Sequence, residues 1–398
     1  MLSLLAGVSL AGYDALSVGG KWLIDAYKHT VSPVQAPDVC NYWPTCSQFT
    51  RGAVDEHGLL LGTLMGADRI TRCNPAAWSD LGVYYLGGIS HERIVDPPHN
   101  HVAWVKPDEA GGPVLAAAAP EADGREAVEW QEPNLAFAER LYADRDFPAA
   151  ATEFLRVRFL STDSNARRYS TLMAAESYLA DGRTDEARHA FTDASDPAIA
   201  PFTCYGFARV LFAEARYDST ESALDQLTGT SLSAQAATLR GWTLYRRHRF
   251  AEGAATLAET GLPGLAEAAA LDGRGLPHRS RLLGSLLSAV LPGAGQLYAG
   301  RPGDALYSLL AVSAPGVAAL WFAADPSLRD RSRIKTAVAG AAGAVFYAAG
   351  IYGANIAARD YNGFQERRYV ARVEELLTRV RLTPDYHEFR PAAPTGVE

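Results

Sequence analysis

The chain has 398 residues, of which 48% are hydrophobic, and a formal net charge of −8. This length suits two or three domains better than one compact fold. An acidic balance gives no electrostatic reason to bind nucleic acid, which usually requires a basic face. The four cysteines are too few for a disulfide-scaffolded secreted protein, and three of them cluster between positions 40 and 73.

The first domain is expected to span residues 1–105, which carry the cysteine cluster and end in the rigid sequence Asp96-Pro97-Pro98. Residues 1–13 are uncharged, but no Lys or Arg precedes the apolar run, so the signal-peptide pattern is incomplete. A short amphipathic or buried helix fits this run equally well. Residues 106–128 are rich in Gly, Pro and Ala and predict a flexible linker.

A helical hairpin is predicted inside the first domain. Thr45 and Gln48 have the spacing of a capping box, which predicts a helix beginning at about Cys46. Gly58 is a natural helix stop, and a second helix is predicted over residues 60–72. Since the connection is so short, the two helices must fold back antiparallel.

This hairpin brings Cys73 beside Cys46 and the incoming Cys40, so three sulfur atoms are expected to converge. Zinc with His57 as fourth ligand fails on distance, because eleven residues on one helix span about 16 Å, whereas zinc ligands lie about 2.0–2.3 Å from the ion. The residues favour buried thiols packing a small core. A three-cysteine metal site completed by another group and a Cys40–Cys46 disulfide stay open, but no metal, cofactor or catalytic residue is predicted.

Residues 129–272 contain an internal repeat. The anchor pairs Asp146-Phe147, Arg183-Thr184, Arg216-Tyr217 and Arg249-Phe250 are spaced by 37, 33 and 33 residues. Each anchor separates two apolar helical stretches, which predicts a helix, a tight turn and a second helix in each unit. The pattern resembles tetratricopeptide repeats, whose period is about 34 residues. Stacked pairs of this kind leave a concave surface that typically binds peptides or proteins, although a simple spacer is the alternative.

A membrane region is predicted over residues 278–362. Three windows, 282–300, 305–324 and 336–358, contain no charged residue, and each approaches the roughly 20 residues that cross a bilayer as a helix. The last two windows predict a transmembrane helical hairpin. Buried core helices are the alternative interpretation, since the windows are rich in Ala and Gly.

The first of these windows is interrupted by Pro292, Gly293 and Gly295, which favours an interfacial or re-entrant segment. Its sequence Pro-Gly-x-Gly-Gln-x-Tyr-x-Gly resembles a motif of small bacterial membrane domains built on a helical hairpin. A nucleotide-binding loop would need a preceding strand and a longer glycine spacing. Arginines flank the spans on both sides, so the sequence does not fix their orientation. Residues 363–398 are predicted to form a polar tail.

The cysteine segment carries a recognisable series of motifs: Ser-Pro, Cys-x-x-x-Pro-Thr-Cys-Ser, His-Gly and Arg-x-x-Arg-Cys, in that order. Their order and spacing resemble the YidD family, the membrane protein insertion efficiency factors, over residues of about 20 to 100. The motif positions, to which structural roles are assigned, are Pro33, Cys40, Pro44, Thr45, Cys46, Ser47, His57, Gly58, Arg69, Arg72 and Cys73.

The resemblance implies a small protein without catalytic activity on the cytoplasmic face of the bacterial inner membrane. It would contact membrane lipid and assist insertion near the Sec translocon, a YidC-type insertase or nascent membrane proteins. Asn41 and Asn74 depart from the family pattern, which usually has Arg and often has His there, and Asp96-Pro97-Pro98 comes later than the family's Asp-Pro ending. The family's basic character is also missing, which weakens the expectation of anionic-lipid binding.

The sequence thus predicts an all-α protein: a YidD-like cysteine domain, a helical-repeat solenoid and a C-terminal transmembrane hairpin. The function expected is that of an accessory factor for membrane-protein insertion, whose repeats bind a partner or nascent chain. The alternative is a cell-envelope scaffold without insertion activity.

Overall fold

A computed structural model describes residues 40–102, 133–194, 196–324 and 329–391. The N-terminal run 1–13, the motif residue Pro33 and the linker 106–128 lie outside the described residues. What is described is predominantly helical, which confirms the predicted fold class. The chain divides into two units: residues 277–367 belong with the N-terminal domain, and residues 368–391 belong with the repeats.

The fold contains fourteen α-helices within the described residues and three very short strands. In chain order the helices are α1 Cys46–Arg72, α2 Pro133–Ala143, α3 Phe147–Leu160, α4 Ser164–Ala180, α5 Thr184–Thr192, α6 Ala200–Ala213, α7 Tyr217–Asp225, α8 Ser233–Arg246, α9 Phe250–Glu259, α10 Ala266–Ala269, α11 Arg281–Val290, α12 Ala294–Tyr298, α13 Pro302–Ala324 and α14 Arg329–Leu377. The strands are β1 Tyr42–Trp43, β2 Ile89–Ser90 and β3 Arg93–Val95.

Helix α1 is the predicted hairpin. It begins at Cys46, where the Thr45 backbone N–H donates to Gln48 Oε1 at 3.1 Å, as a capping box requires. Gly58 breaks the helix with φ of 79°, so α1 consists of two arms. The arms touch closely, because a Cβ added at Gly62 would lie 2.4 Å from the backbone nitrogen of Val54. The turn and the antiparallel hairpin are therefore confirmed.

A three-stranded sheet lies beside this hairpin in the order β1-β3-β2. Strand β1 pairs with β3 in parallel, with Tyr42 opposite Ile94, and β2 pairs with β3 antiparallel. The sequence did not predict this sheet, because strands of two or three residues leave no alternation pattern to detect. Short 3₁₀ helices over Pro75–Asp80 and Pro98–His101 complete this part of the first unit.

The C-terminal part of the first unit contains two helices that are long and apolar enough to cross a membrane, Pro302–Ala324 and Arg333–Leu377. Few of the side chains in their apolar windows are buried inside the protein. The first apolar window is not one long helix, because α11 ends at Val290 and α12 begins after Gly293, whose φ is 88°. The predicted interruption is confirmed.

The second unit contains four consecutive helix pairs, α2/α3, α4/α5, α6/α7 and α8/α9. Between the two helices of each pair, the residue before the anchor pair has a positive φ. The backbone N–H of the first residue of the anchor pair donates to the carbonyl five residues earlier at 2.9 Å. The helix–turn–helix order predicted from the repeat is therefore confirmed, with the same turn each time. The positive-φ residues are Arg145, Gly182, Ala215 and His248.

Residues that the sequence assigns to a polar tail belong instead to ordered structure in the second unit. Helix α14 continues to Leu377, and its last turns together with the segment after it contact the first helix of every pair. Trp242 of α8 donates to Glu374 at 2.8 Å, and Tyr386 donates to Glu176 of α4 at 2.6 Å. Phe202 of α6 contacts the Tyr386 ring, and Arg390 donates to Glu139 of α2 at 2.8 Å.

The repeated turn predicts opposite effects for two small substitutions. Gly182→Ala should lower the free energy of unfolding by about 1 kcal/mol, because a side chain at positive φ is strained. Ala215→Gly should raise it by roughly half as much, since the greater freedom of an unfolded glycine offsets part of the relief. Hydrogen exchange of the amides in α4–α7 measures both changes, and a shift of the same sign in the two variants would contradict the prediction.

Candidate functional site

The three clustered cysteines meet as the hairpin predicts. Cys40 Sγ lies 3.4 Å from Cys46 Sγ and 3.7 Å from Cys73 Sγ, and all three sulfurs lie within 4.8 Å of one another. All are free thiols and partly buried. His57 is not among them and instead lies with its Nε2 3.5 Å from the Glu56 carboxylate. This agrees with its predicted exclusion from any site shared with Cys46.

Backbone N–H groups point at two of the sulfurs. Cys46 N, at the start of α1, donates to Cys40 Sγ at 3.3 Å, and Asn41 N donates to Cys73 Sγ at 3.3 Å. Hydrogen bonds from Cys46 and Cys73 lower the pKa of the Cys40 thiol, against the effect of burial. The same contact, together with burial, raises the pKa of Cys46. The protonation of each thiol in the cluster therefore depends on that of its neighbours.

Arg69 connects several segments of this domain through one buried side chain. Its side chain is fully buried, and it donates to the carbonyl of Asp96 at 2.8 Å and to the carbonyl of Pro44 at 3.1 Å. The guanidinium also lies 4.2 Å from the ring centre of Tyr42 and 4.3 Å from that of Phe49. One cation thus holds the strand, the helix and the segment after β3 together.

Arg72, the second arginine of the motif, is also buried, and it contacts a buried histidine. Its Nη2 donates to His101 Nδ1, and His101 Nε2 donates to Asp96 Oδ1 at 2.7 Å, so the ring is the neutral Nε2–H form. Burial and the nearby Arg72 cation lower the pKa of His101 to about 4. Burial opposes the charge on Asp96, but His101 and Arg69 together hold the pKa of this carboxyl below its ordinary value.

Arg72 also belongs to a group of buried polar residues that reaches the C-terminal apolar helices of the same unit. Its Nη2 lies 2.9 Å from Asp68 Oδ2, one helical turn earlier. Asn74 donates to Asp304 Oδ1 at 2.9 Å, and Arg301 Nε lies 2.7 Å from Asp304 Oδ2. We call these five residues the docking network. It joins the end of the cysteine motif to Arg301, in the loop after α12, and to Asp304, in the first turn of α13.

Further groups enclose Arg301, whose side chain is almost completely buried. Its Nη2 donates to Tyr85 OH at 2.8 Å, and its Nη1 lies 3.6 Å from Asp360 Oδ2 on α14. Asp80 Oδ2 lies 3.7 Å away. Burial raises the pKa of Asp68 to about 6, although Arg72 and Arg301 act in the opposite direction. Several arginines and carboxylates therefore share one water-poor pocket and depend on each other for compensation.

Glycines allow the close approach on which the docking network depends. A Cβ at Gly353 of α14 would lie 1.8 Å from Asp68 Oδ1, and one at Gly303 would lie 2.6 Å from the Ala76 Cβ. Arg359 of α14 donates to the carbonyl of Val102 at 2.8 Å. The C-terminal apolar helices of the first unit therefore pack directly on the cysteine domain.

The structure gives most of the predicted motif residues a packing role. Thr45 caps α1, Gly58 makes the turn, Pro44 offers its carbonyl to Arg69, and the Ser47 hydroxyl lies 3.4 Å from Thr45 Oγ1. Sequence reasoning did not single out the residues that complete the site, which are Asp68, His101, Arg301, Asp304 and Asp360. One signal was available: between positions 282 and 324 the charged residues are limited to Arg301 and Asp304.

Fold and site together define a small helical-hairpin domain, with buried arginines and clustered cysteines, packed on apolar helices. The YidD family model, described as membrane protein insertion efficiency factor, matches residues 19–83. A Clostridium kluyveri relative is 43% identical over 54 residues, which are 14% of this chain and 77% of the relative. Because this match covers most of the relative, the chain belongs to the YidD family through this domain. That relative carries the same description.

Other relatives with this description match over the same small share of the chain. A Streptomyces avermitilis protein is 43% identical over 82 residues, which is 21% of this chain and 59% of the relative. A Lactobacillus gasseri protein is 49% identical over 53 residues, or 13% of this chain and 54% of the relative. The chain thus spans a little over half the length of these two relatives. No solved structure matches the chain.

Two glycines of α14 provide a matched test of the docking contact. Gly353→Ala should destabilise the first unit by about 1–3 kcal/mol, because the methyl group collides with the Asp68 carboxylate. Gly340→Ala is the control, since a Cβ there meets nothing within 4 Å. Thermal unfolding of the full chain in detergent measures both, and equal midpoints would show that α14 does not pack as described.

A second prediction concerns the protonation of His101. Because its pKa is about 4, its ring should stay neutral at pH 5 in the folded protein and become protonated at that pH once unfolded. Its contribution to stability is complete above pH 6.5 and is lost as pH falls towards 4. NMR of the histidine side-chain nitrogens measures this directly, and a charged His101 at pH 5 would refute it.

Site-specific NMR is needed because Asp68 acts in the opposite direction. Its pKa is raised from 3.8 to about 6, so this carboxyl favours the folded state more strongly as pH falls through that interval. The two contributions partly cancel in any global stability curve. A His101→Gln variant lacks the histidine contribution, so its stability should fall less between pH 6 and pH 4 than that of the wild type.

Proposed function

We propose that this protein is a non-enzymatic accessory factor for the insertion of integral membrane proteins, located in the bacterial inner membrane. The observation that carries the proposal is the docking network, which fixes a YidD-family domain to the chain's own apolar helices. Relatives of this domain are described as insertion efficiency factors. In this chain the same domain is bonded to the segments best suited to span a bilayer.

The charges of the docking network support a position of this domain at the membrane surface. Charged groups are costly in the bilayer centre, so the loop that carries Arg301 and the first turn of α13, which carries Asp304, belong near the headgroups. Helix α13 leaves this loop as an apolar segment. Helix α11 exposes Leu282, Leu286 and Val290 on one side while Gly284 and Ser288 are buried, as expected for a helix lying in the interface. We infer a cytoplasmic position from the family resemblance.

The docked domain presents apolar side chains suited to contact an emerging hydrophobic segment. Leu60 is 69% exposed at the Gly58 turn, Ile89 is 59% exposed on the edge strand β2, and Ile70 is half-exposed. Isolated exposed apolar residues are ordinary, but these lie on a domain held beside apolar helices. We infer that they contact nascent membrane proteins or a translocon or YidC-type insertase that delivers them.

The repeats are proposed to bind a protein partner of this pathway. The segment around Tyr386 covers part of the face formed by the first helices, so we assign partner contact to side chains elsewhere. Phe159 is 87% exposed and Leu160 is 59% exposed at the end of α3. A Phe159→Asp change should reduce recovery of the partner in pull-downs without changing membrane association of the chain.

Photo-crosslinking tests the contact with nascent chains. A photoreactive residue at Leu60 or Ile89 should crosslink to a ribosome-bound membrane protein, whereas one at the exposed Ala255 of α9 should not. Depletion of the protein should slow insertion of pulse-labelled inner-membrane proteins. If insertion is unchanged and crosslinks contain envelope-assembly proteins without insertase, translocon or nascent chain, the scaffold alternative replaces this proposal.

Disruption of the docking network should impair insertion more than disruption of a surface ion pair. Asp304→Ala leaves Arg301 buried without its nearest carboxylate, and such a loss typically costs about 3–5 kcal/mol. Asp225→Ala removes an exposed partner of Arg240 and should cost no more than about 1 kcal/mol. Complementation of a depleted strain compares the two at equal membrane abundance, and equal activity would contradict the proposed role of docking.

A further inference from the structure

The cysteine cluster has the dimensions of a metal-binding face. Zinc–sulfur bonds of about 2.3 Å in a tetrahedron place the sulfurs about 3.8 Å apart. Two of the sulfur–sulfur distances are 3.4 and 3.7 Å, and the third is within 4.8 Å. A small closing movement of the Cys46 and Cys73 side chains would therefore give all three sulfurs contact with one ion.

The surroundings of the sulfurs favour thiolates. The first N–H of α1 donates to Cys40 Sγ, and the positive end of a helix stabilises a thiolate beside it. The N–H of Asn41 does the same for Cys73 Sγ. Packing of neutral thiols in an apolar core requires neither these donors nor direct sulfur–sulfur contacts.

The three sulfurs come from separate segments that other contacts hold in place. Cys40 precedes β1, Cys46 is the first residue of α1, and Cys73 follows the last residue of α1. The side chain of Asn41 donates to the Asn74 carbonyl at 3.0 Å and accepts from Trp78 Nε1 at 3.1 Å. This pre-organisation is what a metal site needs, because the ligands are positioned before the ion arrives.

We propose that Cys40, Cys46 and Cys73 bind a thiophilic divalent cation of the Zn²⁺ class through three thiolates, with the fourth coordination position left to water. Among the described His, Cys, Asp and Glu side chains, these three form the one group with metal-ligand spacing. The sulfurs are partly exposed, so water can reach the ion. This replaces the simpler expectation of buried thiols, which the sequence alone favours.

A disulfide is the competing chemistry at this cluster. A Cys40–Cys46 bond would require the sulfurs to approach from 3.4 Å to about 2.0 Å and would leave Cys73 unused. A cation uses all three sulfurs and releases their protons to solvent, without any oxidant. In a reducing compartment the thiols stay available for this reaction.

Metal binding would reinforce the open end of the hairpin, which is also where docking begins. Asn74, next in sequence to Cys73, donates to Asp304 of the membrane region. An ion at the cluster would fix the backbone at Cys73, immediately before Asn74. The cation therefore has a structural role, and the free energy of unfolding should rise with the logarithm of the free metal concentration once that concentration exceeds the Kd.

The full chain, purified in detergent with a reductant, tests the site with Zn²⁺ or spectroscopic Co²⁺ as the probe. One ion should bind per chain, with the strong sulfur-to-cobalt charge-transfer absorption of thiolate ligands. Cys40→Ser and Cys73→Ser should weaken binding more than the 10–100-fold that loss of a supporting contact causes. Cys204→Ser is the matched control, because Cys204 lies in α6 of the second unit.

Circular dichroism first shows which cysteine variants are folded, and thermal unfolding with and without Zn²⁺ is then compared among those variants. Zn²⁺ should raise the unfolding midpoint of the wild type and of Cys204→Ser, and leave that of a folded Cys40→Ser variant unchanged. The proposal is overturned if the reduced wild type binds no ion or if Cys204→Ser weakens binding as much as Cys40→Ser. Weak binding without charge-transfer absorption overturns it as well.

Discussion

Compensation of buried charge is the constraint on which the first unit depends. Arg72 and Asp68 lie inside the cysteine domain, and Arg301 and Asp304 lie at the start of the apolar helix α13, each almost inaccessible to solvent. None of these charges is stable in a water-poor interior without its neighbours. Each segment supplies one ion pair of its own, and the Asn74–Asp304 and Arg301–Tyr85 hydrogen bonds join the two segments, which lie about 230 residues apart in sequence. Docking therefore encloses both ion pairs in one water-poor interior.

This constraint also explains the two buried arginines of the family motif. Arg69 is used for hydrogen bonds to backbone carbonyls and for contacts with two aromatic rings, and it fixes strand and helix together. Arg72 holds His101 neutral and continues into the docking network. Both arginines therefore hold parts of the fold together.

The second unit uses one turn repeatedly and is partly covered by the C-terminal segment. A turn with one positive-φ residue recurs in every helix pair, and its hydrogen bond has the same length each time. The chain's own C-terminal segment then packs along the first helices through Glu374, Tyr386 and Arg390. Stacked pairs need a cover for their last exposed positions. Here part of that cover comes from the end of the same chain.

The sequence alone determined the local features: the capped start of α1, the Gly58 turn, the repeated helix pairs, the apolar windows and the interruption at Pro292. These depend on neighbouring residues and on periodicity, so they can be predicted without distant contacts. The convergence of the three cysteines also followed, because a hairpin with so short a turn has one way to fold back. The tertiary structure decided the rest. The short sheet, the docking network and the packing of the C-terminal segment join residues far apart in sequence. Their side chains carry no local signal of their partners, since charge compensation in a buried pocket is a property of the assembled fold.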